Sequence, residues 1–340
     1  MNKKTNMKMV IVLAGVALIV FLSMITHSYY QNVLKQIEVA GMEESRSYKY
    51  HYVLIVDDCE MQFWKDVYES MKAEAEKQDA LVELMGRSLS SDMEIENFMD
   101  MSIAAKVDGI VLEYTGDHRL SDRIEEASRA GIPVVTVLKD APATSRESYV
   151  GINSYQLGQQ YGELVMELAR KNRDGAEVMV LTHDSGNDGS QSQILEQINN
   201  FVVTSPDVGG RIHVTRENIQ STGKVDADEA LRNIFFRQEG APDILICMDS
   251  VDTEAAYQAM IDYNKVGEIQ LVGYYQSPTI LNAVEKGNIP ATLVLNTEQM
   301  GLDCVRALTD YRREGRVNSY YSVDFSFVTS ENVQEFMKSE

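Results

Sequence analysis

Two adjacent aromatic residues, Phe63 and Trp64, have the side-chain types and the position that binding chemistry requires. They close the stretch DDCEMQFW, which follows an apolar run over 52–56 that predicts a buried strand. They also open an amphipathic helix, since Phe63, Val67 and Met71 repeat every four residues. Aromatic rings at such a junction either pack into the core or give a flat apolar surface to a ligand. Both alternatives stay open for Phe63, and we favour a ligand role for Trp64 because it lies one position off the apolar stripe.

Catalytic chemistry finds little support in the same sequence. An enzyme needs a poised nucleophile, acid, base or metal, and the chain contains neither a G-x-S-x-G nor an H-E-x-x-H motif. The five histidines lie far apart, at His27, His51, His118, His183 and His213. The three cysteines are also widely separated and form no C-x-x-C pair, at Cys59, Cys247 and Cys304. We therefore predict no catalytic residue, no metal site, no disulfide framework and no cofactor, and an enzyme of unknown type is only a third hypothesis.

Short apolar runs alternate with helical patterns from residue 48 onward. Eight runs are predicted as strands, at 52–56, 80–85, 109–113, 133–137, 177–182, 243–248, 269–274 and 291–295. Such alternation predicts βαβ units with parallel sheets, and this number of strands predicts two α/β lobes. Open α/β sheets bind ligands at the carboxyl ends of their strands. Phe63 and Trp64 follow the end of the first strand and therefore lie at such an edge.

The beginning of the chain predicts a membrane anchor. Three lysines within residues 1–8 precede Met9 to Thr26, an uncharged stretch close to the shortest length that crosses a bilayer as a helix. The lysines predict a cytoplasmic N-terminus, a transmembrane helix over 9–26, a juxtamembrane spacer over 27–47 and the remaining chain outside the cell membrane. A cleaved signal peptide is the alternative, but no A-x-A-like cleavage site follows the apolar stretch.

The charge of the chain excludes one class of partner. The net charge is −21, and the field of such a surface repels phosphate backbones and anionic lipid headgroups. The sequence shows no basic patch, so we expect no nucleic-acid partner.

Five segments, taken in order, resemble one protein family. They are QFWKDVYESMKAEAEK, VDGIVLEYTGDHRLSDRIEEASRAGIPVVTV, GINSYQLGQQYGELV, DILICMDSVDTEAAYQAM and IQLVGYYQSPTILNAVEKGNIPATLVLNTEQMGLDCV. Together with the terminal SVDFSFVTSENV, they are similar to blocks of the type I periplasmic sugar-binding proteins. These are the ribose and galactose binders, which are related to the sensing domains of lactose-repressor-type regulators. The regulators carry an N-terminal helix-turn-helix where this chain has its apolar segment, so we expect no repressor function.

The resemblance implies an architecture. It predicts an α/β fold with two doubly wound parallel-sheet lobes joined by three crossings, preceded by the transmembrane helix. The first lobe would comprise residues 48–152 and 295–325, and the second 153–294 and 326–340. A ligand would lie in the cleft between them, and lobe closure would convert binding into a shape that another protein recognises.

The resemblance also implies where the ligand is held. In the family, two aromatic residues of the first loop stack against a sugar ring, and Phe63 and Trp64 fall at these positions. The loop after the third predicted strand contributes Tyr114 as another candidate ring on the cleft side.

At the polar positions the sequence departs from the family. The Asp that usually follows the fourth strand is Leu138 here, with Lys139 next to it. An Arg, an Asn, an Asp and a Gln of the family correspond to Gln197, Asp249, Tyr275 and Leu295, the last with Asn296 beside it. The implied pocket is more apolar and aromatic than a ribose or galactose site and keeps Lys139 and Asp249 as charges, for which a solvated lysine and a helix cap are the alternatives. The predicted ligand-binding residues are Phe63, Trp64, Tyr114, Lys139, Gln197, Asp249, Tyr275 and Asn296.

These observations predict a membrane-anchored, extracytoplasmic solute-binding protein for a sugar or sugar-like molecule. Its partner would be a membrane sensor such as a histidine kinase, which responds to lobe closure. The alternative is the substrate-capture component of an ABC-type sugar importer, with a permease as partner. Capture proteins of Gram-positive cells are commonly lipid-anchored through a cysteine that this chain lacks near its apolar segment, so the predicted tether and the altered polar positions favour sensing.

Overall fold

The computed structural model describes seven ranges of the chain. They are 48–87, 93–170, 175–183, 190–205, 211–219, 224–237 and 240–337. The chain divides into two compact units, Met1–Lys49 and Tyr50–Glu340, and the elements below belong to the second. The predicted anchor over 9–26 and the spacer over 27–47 lie outside the described residues. Within the described ranges, no helix has both the length and the apolar character needed to cross a membrane.

Strands and helices alternate along most of the second unit. The strands are β1 (Tyr50–Asp58), β2 (Ala80–Arg87), β3 (Gly109–Glu113), β4 (Val134–Val137), β5 (Ser148–Gly151), β6 (Ala176–His183), β7 (Ile212–Ile219), β8 (Ile244–Cys247), β9 (Gln270–Tyr274), β10 (Ala291–Leu295), β11 (Tyr320–Ser322) and β12 (Phe325–Val328). The helices are α1 (Gln62–Lys77), α2 (Ile95–Ala105), α3 (His118–Arg129), α4 (Ser154–Ala169), α5 (Ser190–Thr204), α6 (Lys224–Phe235), α7 (Ser250–Asp262), α8 (Pro278–Glu285), α9 (Thr297–Glu314) and α10 (Val333–Phe336).

The strands form two sheets, each with six strands among the described residues. The first sheet has the order β11-β5-β4-β3-β1-β2 and is parallel throughout. The second has the order β12-β10-β9-β8-β6-β7 and is parallel except for the β10–β12 pair. Two α/β lobes with mainly parallel sheets, as predicted from the alternating pattern, are therefore confirmed. We call them lobe 1 and lobe 2, after the first and second sheet.

Helices cover both faces of each sheet, and the strands of lobe 1 show how the sequence encodes this. Along β1, Leu54 and Val56 belong to one apolar cluster, whereas Val53 and Ile55 belong to another on the opposite face. All four are fully buried. Because neighbouring residues of a strand point to opposite faces, a strand covered on both sides is apolar at every position. This explains why short continuous apolar runs located the central strands correctly.

Four strands lie outside the eight predicted runs. They are β5, β7, β11 and β12, of which β7, β11 and β12 are edge strands. Edge strands bury less surface, and β11 has no buried residue. A short, exposed segment such as β11 becomes a strand because a distant strand offers its backbone, and the local sequence carries little signal for that pairing.

The chain passes between the two sheets three times, from β5 to α4, from β10 to α9 and from β11 to β12. Gln299 in α9 joins two of these crossings. Its side-chain Nε2 donates to the Ser322 carbonyl at 3.1 Å, and its Oε1 accepts from the Asp324 backbone N–H at 2.9 Å. The lobe boundaries given above remain a prediction about domains, and the crossings are the places where the lobes can move against each other.

Helix α9 returns to lobe 1 and packs against α1, which carries Phe63 and Trp64. Gly301 permits this close approach, since a Cβ there would lie 2.7 Å from the Val67 carbonyl oxygen. Helix α1 is thus held between the sheet of lobe 1 and a helix that begins at a crossing.

Candidate functional site

Polar side chains from both lobes come together at the carboxyl ends of the strands. Lobe 1 contributes Asp57 near the end of β1, Glu113 at the end of β3 and Lys139 two residues after β4. Lobe 2 contributes Asp249 two residues after β8 and Tyr274 at the end of β9. The charges of Asp57, Lys139 and Asp249 all act on Glu113, and those of Asp249 and Glu113 act on Tyr274. We call these five residues the polar group of the cleft.

Glu113 is at the centre of the polar group. Burial raises the pKa of its carboxyl from the ordinary value of 4.5 to about 7, and the carboxylates of Asp57 and Asp249 act in the same direction. The Asp57 backbone N–H, which donates to Glu113 Oε2 at 2.7 Å, and the ammonium group of Lys139 oppose this rise in pKa. Glu113 therefore exchanges its proton near neutral pH, so it is able to donate or accept a hydrogen bond from a ligand hydroxyl.

Tyr274 supplies a neutral hydroxyl on the side of lobe 2. Burial raises its pKa far above the ordinary value of 10, and the negative charges of Asp249 and Glu113 add to this effect. Its position is fixed through the backbone, because the Tyr274 N–H donates to Thr253 Oγ1 at 2.9 Å. The hydroxyl stays protonated at physiological pH and remains a hydrogen-bond donor.

Behind Tyr274 lies a buried hydroxyl, that of Tyr161 in α4. Its side chain is 1% exposed, and its hydroxyl has no hydrogen-bond partner among the residues that the structure describes. Burial raises its pKa well above the ordinary value, with smaller effects from Tyr274 and Cys247. The buried Oε1 of Gln276, two residues after β9, likewise lacks a described partner. A buried polar atom without a hydrogen-bond partner costs free energy. These two atoms of lobe 2 are therefore available to bond to a ligand or a water molecule.

Asp57 is paired with Arg87, which ends β2. The Arg87 guanidinium forms an ion pair with the Asp57 carboxylate, and this hydrogen bond raises the pKa of Arg87. The Arg87 Nε also donates to the Asp57 carbonyl at 3.4 Å. The charge of Asp57 is therefore balanced within lobe 1.

The two aromatic residues of the first turn of α1 are buried, with Phe63 5% and Trp64 2% exposed. The Phe63 ring meets the Trp64 ring edge-on at 4.9 Å between centroids. Its other edge-on neighbour is Tyr275 of lobe 2, at 5.4 Å. These three residues, which we call the aromatic group, join the lobes beside the polar group. Ligand contact by Phe63 and Trp64 stays a prediction, and their burial shows that packing is also part of their role.

Two residues of the cleft edge adopt left-handed backbone conformations. Leu138 has a φ of +64° and Tyr275 a φ of +69°, and each follows directly after the last residue of a strand. Such conformations cost on the order of 1 kcal/mol for residues other than glycine and tend to occur at functional sites. At both positions the family that this sequence resembles has an Asp, which is replaced here by Leu138 and Tyr275.

The remaining predicted site residues have other described contacts. Tyr114 is buried in the cluster on the opposite face of β3, and its hydroxyl lies 2.8 Å from Ser121 Oγ. Gln197, half-buried in α5, packs with its Cβ against Gly158 of α4. Asn296 caps α9, where its side chain accepts from the Gln299 N–H at 2.9 Å. Ligand contact by Tyr114, Gln197 and Asn296 stays a prediction without a described contact to the polar group.

Asp249 and Lys139, the two charges predicted for the pocket, do lie near Glu113. Asp249 also caps α7, since its Oδ1 accepts from the Val251 N–H at 2.7 Å. The helix cap and the position in the cleft are thus compatible. Lys139 is half-buried rather than fully solvated.

Sequence reasoning missed Glu113, Tyr274, Tyr161 and the Asp57–Arg87 pair. A signal for Glu113 was present, because it lies two residues after Val111 and therefore on the same face of β3. Tyr114, the neighbour that was chosen for its ring, points to the other face. No group of three or more His, Cys, Asp or Glu side chains within the described ranges is arranged to hold a metal ion.

Two α/β lobes joined by three crossings, with a polar group to which both lobes contribute, are the architecture of a type I binding protein. Residues 52–315 match the family model described as "Periplasmic binding protein domain", and the chain belongs to this family. The family consists of binding proteins and not of enzymes.

Similarity to individual proteins is spread over most of the chain. The D-allose-binding periplasmic protein of Escherichia coli (strain K12) is 20% identical over 276 residues, which cover 78% of this chain and 86% of that protein. The structure of GanP, a glucose-galactose binding protein from Geobacillus stearothermophilus, is 22% identical with a TM-score of 0.73, and 83% of this chain covers 98% of it. A chain of the XylFII-LytSN complex is 23% identical with a TM-score of 0.68, at the same coverage.

Proposed function

We propose that this protein binds a sugar or sugar-like molecule between its lobes on the outer side of the cell membrane, and that lobe closure signals to a membrane partner. The observation that carries the proposal is the polar group around Glu113, to which both lobes contribute. A ligand that bonds to both halves of this group stabilises the closed arrangement of the lobes over any open one.

The chemistry of the polar group suits a ligand rich in hydroxyl groups. Each sugar hydroxyl is both a donor and an acceptor, and the cleft offers acceptors, donors and one group, Glu113, that is able to act as either. The Tyr161 hydroxyl, which has no partner among the described residues, adds a further site for a hydrogen bond or a bridging water. Phe63 and Trp64 exclude water from these contacts, which strengthens them.

The names of the related proteins support the ligand class. One relative is an allose binder and another binds glucose and galactose. Since the polar positions of this chain differ from those of the family, as at Leu138 and Tyr275, we propose a saccharide other than ribose or galactose.

A signalling role is supported by two observations. Residues 9–26 form an uncharged stretch that we propose as an uncleaved anchor, so that the protein is held single-pass in the cell membrane. The XylFII-LytSN complex shows that a protein with this fold assembles with a second protein. We propose a membrane-embedded sensor such as a histidine kinase as the partner here.

A second function, substrate capture for an ABC-type importer, is supported by the similarity in fold to the sugar-binding protein of a sugar ABC transporter from Bacillus halodurans. Cross-linking in membranes followed by mass spectrometry separates the two. Recovery of a histidine kinase supports sensing, whereas recovery of a permease assigns the protein to import.

The ligand is found with full-length protein in detergent, titrated with monosaccharides, disaccharides, polyols and nucleosides while thermal unfolding is followed. A ligand at a hundredfold excess over its Kd stabilises the folded state by about 2.7 kcal/mol. We expect a saccharide or polyol to give this shift. A panel in which none does, or in which only a nucleoside does, contradicts the proposal.

A further inference from the structure

A side-chain hydrogen bond joins lobe 2 to lobe 1. The Tyr275 hydroxyl of lobe 2 donates to Asp66 Oδ2 in α1 of lobe 1 at 3.0 Å. The Tyr275 side chain is 7% exposed, and its ring rests edge-on against Phe63. The two partners are 209 positions apart in the sequence and belong to different lobes. The bond therefore depends on how the lobes are arranged.

Both partners are held in place within their own lobes. The Tyr275 N–H donates to the Leu293 carbonyl at 2.6 Å, and its carbonyl accepts from Thr292 Oγ1 at 2.8 Å. These bonds fix the left-handed backbone that directs the side chain toward lobe 1. On the other side, Gln62 Nε2 donates to Asp66 Oδ1 at 2.8 Å and leaves Oδ2 to Tyr275. Groups that are ordered beforehand lose little entropy when the bond forms.

We infer that Tyr275 and Asp66 form a latch that stabilises the closed arrangement of the lobes and so raises the affinity of the cleft for every ligand by the same factor. This role differs from the ligand contact predicted for Tyr275 from the sequence. A residue that contacts the ligand changes the order of preference among ligands, whereas a latch shifts only the equilibrium between open and closed lobes. The effect on affinity rests on the proposed function, but the effect on lobe closure does not.

The test uses two variants that remove the bond from either side, Tyr275→Phe and Asp66→Ala. Tyr275→Phe keeps the ring on Phe63, and Asp66→Ala puts a good helix former into α1. The matched control is Tyr68→Phe, because the Tyr68 hydroxyl donates at 3.4 Å to the Val82 carbonyl within lobe 1.

Lobe closure is measured in full-length protein in detergent by the distance between spin labels. The labels are attached at Lys72→Cys in α1 and Glu254→Cys in α7, both exposed positions, in a Cys59→Ser background. The same proteins are titrated with several saccharides that bind the wild type. Loss of a hydrogen bond to a charged acceptor is expected to weaken binding by roughly ten- to a hundredfold, or to move the distances toward an open form.

The latch is supported if Tyr275→Phe and Asp66→Ala lower every affinity by a common factor or lengthen the distances, if the double variant adds nothing, and if Tyr68→Phe changes neither quantity. It is overturned if distances and affinities stay as in the wild type, or if the affinities fall by different factors for different ligands while the distances stay unchanged. Should no saccharide bind the wild type while Tyr275→Phe still lengthens the distances, the latch stands and the proposed function fails.

Discussion

The aromatic group and the polar group are neighbours, but they differ in how far their side chains find packing and hydrogen-bond partners within the protein. Phe63 packs edge-on against both Trp64 and Tyr275, and the Tyr275 hydroxyl is hydrogen-bonded to Asp66. In the polar group and behind it, a carboxyl has a raised pKa and the buried hydroxyl of Tyr161 has no described partner. The first group therefore resembles a core that joins two lobes, and the second resembles a site that is completed by a ligand.

Truncating the aromatic group is expected to have the largest effect on stability. Trp64→Ala removes a nearly fully buried indole and should lower the free energy of unfolding by about 3–5 kcal/mol. Denaturant unfolding of the full-length protein measures this loss. A loss below about 1 kcal/mol would show that the ring is not part of the core and would favour a role confined to ligand contact.

The polar group should make the free energy of unfolding depend on pH, through the carboxyl of Glu113. Because the folded-state pKa of Glu113 is about 7 against an ordinary 4.5, its contribution to stability is complete below pH 4.5 and is lost as the pH rises through 7. The full loss is on the order of 3 kcal/mol.

Glu113→Gln removes this step, so unfolding at pH 5 and pH 8 should show a smaller decrease in stability for the variant than for the wild type. Glu76→Gln, at an exposed position of α1, is the control and should follow the wild type. Parallel pH curves for the wild type and Glu113→Gln would mean that Glu113 is solvated and would remove the contrast between the two groups.

Removing the Tyr161 hydroxyl is expected to change stability by a smaller amount and in the opposite direction, toward a more stable protein. Tyr161→Phe keeps the ring, which packs edge-on against Phe327, and removes a hydroxyl that has no partner in the described part of the chain. The variant should be more stable by about 1 kcal/mol and should bind the ligand more weakly. Tyr52→Phe is the matched control, because the buried Tyr52 hydroxyl lies 3.2 Å from Thr309 Oγ1 and its loss should destabilise. Destabilisation by both variants would show that Tyr161 has a partner after all.

The sequence predicted the fold better than the site, for a physical reason. Parallel strands that are covered on both faces are apolar at every position, so continuous apolar runs predicted β1, β3 and β8 correctly. An edge strand such as β11 instead depends on a pairing partner far away in the chain. Site residues depend on which face a strand presents. Glu113 and Tyr114 are neighbours in sequence, yet only Glu113 is on the face that meets Asp57 and lobe 2.

Helix ends illustrate the same limit. Asp249 and Asn296 were predicted from family positions, and both cap helices in the structure. A cap and a ligand contact use the same residue types at the same strand–helix junctions, so residue type alone does not separate them. The electrostatic coupling of Asp249 to Glu113 depends on the approach of two lobes, which no local pattern encodes.

The central claim is that the polar group around Glu113 binds a saccharide between the lobes. Calorimetric titration of the wild type and Glu113→Gln with a saccharide at pH 8 tests this claim most directly. Loss of the ionised acceptor is expected to weaken binding by roughly ten- to a hundredfold. At pH 5.5 the Glu113 carboxyl is mostly protonated and resembles an amide, so the two proteins should then bind nearly alike. Equal affinities at pH 8, or the absence of any saccharide that binds the wild type, would contradict the account.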